Sequence, residues 1–303
     1  MPELDVVTGA TGYSGKYITR RLLSQGRRVR TLTNHPAREN PFGSQIEMVP
    51  YHFENSEELR RNLEGASTIY NTYWVRFSHG RQSFESAVTN TQTLIRAAEQ
   101  AGVRRFVHVS IANPSADSPL AYYSGKAVLE AALAQSTLSW AIIRPTVIFG
   151  QEDILINNIA WMVRHFPVFA VPGSGEYKLQ PVFVEDLAQI AIDAARSQEN
   201  VIVDAVGPET YSFNELVQLI ARTLGRSVRI SHVSPALVYV LTRLLGLAVH
   251  DVILTREEID GLMANLLVSH QPPLGTTKLS QWLEENAGRV GRRYASELER
   301  HFR

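Results

Sequence analysis

The chain has 303 residues, 44% of them hydrophobic, enough to bury a full core and to build a large α/β domain with an appended lobe. Thirty acidic residues balance thirty basic ones, which leaves no electrostatic footprint for nucleic acid. The absence of cysteine excludes disulfides, thiolate metal sites and cysteine nucleophiles.

The opening MPELDVVTGATG enters a strand pattern with no basic segment followed by an apolar one, so the sequence predicts no signal peptide and a cytoplasmic protein. Residues 4–8 (LDVVT) read as a strand, followed by a glycine turn and a helix over 13–25. Strands are predicted at 28–33, 46–49 and 67–72, the last preceded by a short helix after Asn55. A long helix then runs to Gly102, whose glycine marks a stop, and RRFVHVS follows as a buried strand. AYYSGKAVLEAALAQ reads as a helix and SWAIIRP as a strand. Parallel neighbours require crossover connections, so this alternation predicts an α/β fold: a Rossmann-type doubly wound parallel sheet with helices on both faces.

After Gly150 helical patterns dominate, over 154–165, 184–197, 212–224 and three or four later segments, with short strands near 179–183 and 201–205. This predicts a dinucleotide-binding domain over 1–150 and a smaller, mostly helical lobe over 151–303, some of whose elements return to the main sheet. Residues 233–249, VSPALVYVLTRLLGLAV, are strongly apolar yet shorter than the roughly 20 residues of a bilayer span. They are expected to form a buried or pocket-lining helix rather than a membrane segment, with an interfacial helix as the second reading.

TGATGYSG, residues 8–15, lies between the first strand and the first helix. Gly9, Gly12 and Gly15 allow a tight turn and close approach to a pyrophosphate, which the free N–H groups of the helix start would bind; Thr11 and Tyr13 fall within the same turn. At the end of the second strand an acid would bind the ribose 2′-OH of NAD, whereas arginine favours the 2′-phosphate of NADP. The chain has Asn34 and His35 there and Arg38 just beyond, so NADP is the expected cofactor, with NAD as the alternative.

Together TGATGYSG, Tyr122-x-x-x-Lys126, IIRPTVIFG, LQPVFVEDLA and DAVGPETYSFNELVQLIA resemble the extended and atypical short-chain dehydrogenase/reductases. The similarity extends over about residues 4 to 225 and is greatest to the NAD-dependent epimerase/dehydratase-like branch that includes the nucleotide-binding accessory subunit of respiratory complex I. The resemblance implies that Tyr122 is the general acid or base and that Lys126 supports its phenolate and binds the nicotinamide ribose. A spacing of four puts both on one helix face; Tyr123, three before the lysine, also reaches that face. The family's hydroxyl position falls on Ile111, with Ser110 one residue earlier as the candidate third catalytic group and Asn113 two later. Asn90 matches a family asparagine.

Beyond the fourth strand, where relatives carry small residues, this chain has NTYWVRFSHG. Asn71 is a candidate cofactor contact. Tyr73, Trp74 and Phe77 would wall a substrate pocket, with Arg76 as an anion or carbonyl contact, or else pack as ordinary core. His52 lies in YHF, where the family often places an aspartate near the adenine.

The nine histidines show no ligand spacing, so no metal is expected. Two function classes remain. One is an NAD(P)-dependent oxidoreductase or epimerase/dehydratase-like enzyme acting on a hydroxyl or carbonyl of a small-molecule substrate, as a monomer or homodimer. The other is a non-catalytic NADP(H)-binding sensor or assembly subunit, suggested by the hydroxyl missing at Ile111 and by the aromatic insertion.

Overall fold

A computed structural model describes residues 3–34, 40–80 and 82–301. Its first half repeats strand and helix: β1 (Leu4–Thr8), α1 (Tyr13–Ser24), β2 (Arg28–Thr33), β3 (Ile46–Pro50), α2 (Ser56–Leu63), β4 (Ala66–Asn71), α3 (Phe84–Gln100), β5 (Arg105–Val109), α4 (Ala121–Ala134) and β6 (Ser139–Pro145). The chain continues through β7 (Ile148–Phe149), α5 (Leu155–His165), β8 (Val168–Pro172), β9 (Lys178–Leu179) and β10 (Val182–Phe183) to α6 (Val184–Arg196) and β11 (Val201–Ala205). It ends in β12 (Tyr211–Ser212), α7 (Phe213–Thr223), β13 (Arg229–Val233), α8 (Pro235–Val249), α9 (Arg256–Met263), α10 (Leu279–Asn286) and α11 (Glu297–His301).

Two compact units divide these elements. The first comprises the described residues up to Pro145 together with Val184–Ala205; the second comprises Thr146–Phe183 and the described residues from Val206 onward. The returning pair α6 and β11 therefore belongs with the first unit.

The first unit holds a seven-stranded sheet in the order β11-β6-β5-β4-β1-β2-β3, every neighbouring pair parallel. The chain winds outward from β1 to β3 and then from β4 the other way, so the C-terminal ends of β1 and β4 form the topological switch point where such sheets bind ligands. Every residue of β1, β4 and β5 is buried, as expected of a sheet covered on both faces. Asp5 is buried at the opposite, N-terminal end of β1, where Arg27 clamps it through two 2.6 Å hydrogen bonds.

In the second unit, Phe149, Ile156, Leu179, Leu216, Ile220 and Leu283 are fully enclosed in one core. The Asp153 carboxylate caps the start of α5, accepting from the backbone N–H of Ile156 at 2.7 Å, and burial pushes its pKa up to about 7. The expectation of a buried α8 is corrected: only Val238 and Gly246 are buried, while Leu237, Val240, Leu241, Leu244 and Leu247 are exposed. Its apolar composition is that of a core helix, but among the described residues no neighbouring element covers that face. Among the described residues no helix is long and apolar enough to cross a membrane.

Candidate nucleotide site and tyrosine–lysine dyad

The turn after β1 is pinned from β2. The Gly9 N–H donates to the Leu32 carbonyl at 2.9 Å, and the Ala10 N–H donates to Thr31 Oγ1 at 3.0 Å while that hydroxyl donates to the Val7 carbonyl at 2.8 Å. Gly9 has φ +65°, a left-handed conformation open to glycine. A Cβ at Gly15 would collide with the Gly9 carbonyl, so only glycine lets α1 start this close to the strand. Gly12 is the N-cap of α1, with no side-chain cap and no acid in the first turn. A helix start with neither a capping side chain at Gly12 nor an acid in its first turn fits a dinucleotide's pyrophosphate. Thr11 and Tyr13 are half-buried in the turn, and the Tyr13 ring meets Tyr17 edge-on at 6.1 Å. Asn34 is exposed just past β2; Arg38 and His35 lie outside the described residues.

Across the switch point, Thr8 ties β1 to β4. Its Oγ1 accepts from the N–H of Thr72 at 2.7 Å and of Tyr73 at 3.0 Å, and donates to Asn71 Oδ1 at 3.0 Å. Asn71 is fully buried, and its Nδ2 stands 3.0 Å from His108 Nδ1. Because Oδ1 already accepts two hydrogen bonds, Nδ2 must donate to Nδ1, which places the imidazole proton on Nε2. Burial lowers the pKa of His108 well below that of a free histidine and keeps the ring neutral. The Asn71 side chain is thus spent on the strand ends.

The aromatic stretch divides. Tyr73 packs on Tyr51 and Phe53, with ring centroids 5.2 and 5.3 Å away, and its hydroxyl accepts from Asn90 Nδ2 at 2.9 Å. His52, in left-handed backbone beside them, pairs with Glu58 at 3.0 Å. Phe77 is buried, with the Arg76 guanidinium over its ring at 5.7 Å. Trp74 turns to α4 instead. It stacks on Phe84 at 6.0 Å and meets Tyr122 edge-on at 5.6 Å.

The dyad therefore has an indole against it. Lys126 is 2% exposed; its Nζ lies 4.4 Å from the centroid of the Trp74 ring and donates to the Val109 carbonyl at 2.8 Å. Desolvation lowers its pKa to about 7, opposed by the nearby Glu130 carboxylate. Tyr122 is half-buried, whereas Tyr123 is buried and its pKa is pushed up to about 12. Ser110 and Ile111 are both buried, and the Ser110 Oγ has no hydrogen-bond partner among the described residues.

Sequence reasoning missed three participants: Thr31, His108 and Gly125. Gly125 left a readable signal, because glycine inside a helix costs about 1 kcal/mol relative to alanine and implies a close neighbour. A Cβ there would stand 3.0 Å from Trp74 Cη2.

With this geometry in place, comparison with known proteins gives a consistent picture. Residues 9–156 match the family described as NAD(P)H-binding. A relative from Arabidopsis thaliana, NADH dehydrogenase (ubiquinone) 1 alpha subcomplex subunit 9, mitochondrial, is 27% identical over 225 residues, covering 70% of this chain and 56% of the relative. The chain thus spans little more than half of that relative's length. In fold it is similar to the Citrobacter sp. triphenylmethane reductase complexed with NADP(H), with a TM-score of 0.78, 17% identity and coverage of 93% of this chain and 99% of the other. It is also similar to the NADPH-dependent quinone oxidoreductase QOR2 of Escherichia coli, complexed with NADPH, with a TM-score of 0.75, 19% identity and the same coverage of 93% and 99%.

Proposed function

We propose, from a chain whose residues 9–156 match the NAD(P)H-binding family, that this protein binds NADP(H) at the Gly9–Gly15 turn and acts as a reductase on the carbonyl of a small, planar molecule. The observation carrying the proposal is the contact of Gly15 with the Gly9 carbonyl beneath an α1 start free of capping side chain and acid, at the β1/β4 switch point. That close approach lets backbone N–H groups and the positive end of α1 meet a pyrophosphate. The absence of an acid at Asn34 supports NADP over NAD. The coenzyme, when bound, supplies the hydride.

The chain's own groups would do the rest. Tyr122 would donate a proton to the carbonyl oxygen, and Lys126 would favour the phenolate left behind. Trp74 and Tyr122, both half-buried and backed by Phe84, offer ring faces and edges against which a planar acceptor can lie. A quinone, the acceptor for which one of the solved neighbours of similar fold is named, is a planar carbonyl compound, and this supports the reading.

A second reading, nucleotide binding without turnover, is favoured by one observation: Lys126 is enclosed between Trp74 and the Val109 carbonyl. The relative from respiratory complex I fits this reading.

Two variants test the proposal. Gly15→Ala drives a methyl into the Gly9 carbonyl, and NADPH affinity is expected to fall at least tenfold in a calorimetric titration; unchanged affinity would place the nucleotide elsewhere. In NADPH oxidation assays with a panel of quinones, Tyr122→Phe should lower kcat by about a hundredfold or more. No quinone-dependent oxidation in the wild type, with NADPH still bound, would select the second reading.

A further inference from the structure

The α8 helix presents a face that no other described residue covers. Leu237, Val240, Leu241, Leu244 and Leu247 stand three, four, seven and ten residues along from the first and so share one side of the helix. Leu244 is 60% exposed and Leu247 is 74% exposed. Single exposed leucines are common on protein surfaces, but a continuous aliphatic stripe along a whole helix marks an interaction site.

Charge identifies the occupant. From Leu216 to His250 the chain carries Arg222, Arg226, Arg229 and Arg243 and not one aspartate or glutamate, although the whole protein is neutral. All four arginines are exposed. Arg243 flanks the stripe on α8 itself, and Arg256 joins it over the Tyr239 ring, with the two guanidinium carbons 6.0 and 5.4 Å from the centroid. A second copy pairing through α8 would bring Arg243 against its own equivalent on a helix that has no acid to offer. An anionic lipid surface satisfies both features, taking aliphatic side chains below the headgroups and arginines among the phosphates. At 15 residues α8 is too short to span a bilayer, so it would lie in the interface.

We infer that the protein docks reversibly on anionic membranes through the exposed face of α8, with Arg243 and Arg256 at its border. This is independent of the reductase reading and concerns a different surface. The test is co-sedimentation of the full chain with vesicles of phosphatidylcholine and phosphatidylserine at 7:3, and with phosphatidylcholine alone, over a salt series. The expected result is binding to the anionic vesicles that weakens as salt rises, with at least a tenfold weaker partition to the neutral ones. Leu244→Ser/Leu247→Ser should reduce anionic binding about tenfold or more, and Arg243→Glu severalfold. Both change exposed side chains, and circular dichroism checks the fold. Absence of binding to anionic vesicles overturns the inference, as does equal binding to both kinds. A wild-type dimer in ultracentrifugation that Leu244→Ser/Leu247→Ser converts to monomer also overturns it, assigning the face to a second copy.

Discussion

Lys126 sits in a conflict that its sequence spacing does not reveal. Tyr122-x-x-x-Lys126 indicates that the two share a helix face, but the burial of the ammonium follows from Trp74, fifty-two positions earlier in the chain and admitted by Gly125. With a folded-state pKa near 7 against 10.5 for a free lysine, the unfolded chain holds a proton that the folded chain has released throughout that interval. Stability attributable to this group therefore rises with pH from about 7 to about 10.5 and is lowest below 7, where both states are charged. Lys126→Met is expected to be more stable than the wild type at pH 6, by an order of a few kcal/mol, with the advantage shrinking as pH approaches 10.5. Chemical denaturation of both proteins at pH 6, 8 and 10 checks this; an advantage that grew with pH would contradict the buried-cation account. The missing hydroxyl at Ile111 was legible in the sequence, as was the offset of Ser110. That Ser110 would be enclosed with an unpartnered Oγ was not, because one-dimensional spacing gives the direction of a strand side chain but not what lies across from it.

At the scale of elements, the strands and helices around the sheet follow the sequence pattern closely, since continuous apolar runs and the stop at Gly102 are local signals. The bracket that joins β1 to β4 is not local: Thr8 and Asn71 are 63 positions apart. Thr8→Val keeps the shape and removes the acceptor for the N–H groups of Thr72 and Tyr73. The expected cost is about 2 kcal/mol in urea unfolding, from the partly buried Thr72 N–H left without its acceptor, whereas the Tyr73 N–H keeps Asn71 Oδ1. A variant as stable as the wild type would mean that water replaces the hydroxyl. The α8 helix shows the opposite limit. Its apolar residues predicted a helix correctly and its surroundings wrongly, because composition reports how much apolar surface an element carries and not whether another element covers it.

For the molecule as a whole, the two windings of the sheet from β1 and β4 turn a weak glycine pattern into a candidate place for a nucleotide. The order of the strands brings Gly9, Gly12 and Gly15 to the same edge as the dyad-bearing α4, which follows β5 next in line. A ligand that binds the folded chain alone raises its stability by about 2.7 kcal/mol at a hundredfold excess over Kd. The most direct test is a calorimetric titration of the full chain, stripped of nucleotide, with NADPH and NADH in parallel. Saturable binding of one NADPH per chain, tighter than NADH and weakened by Gly15→Ala, is the expected result. Failure of the stripped, folded protein to bind either nucleotide would contradict the account at its centre.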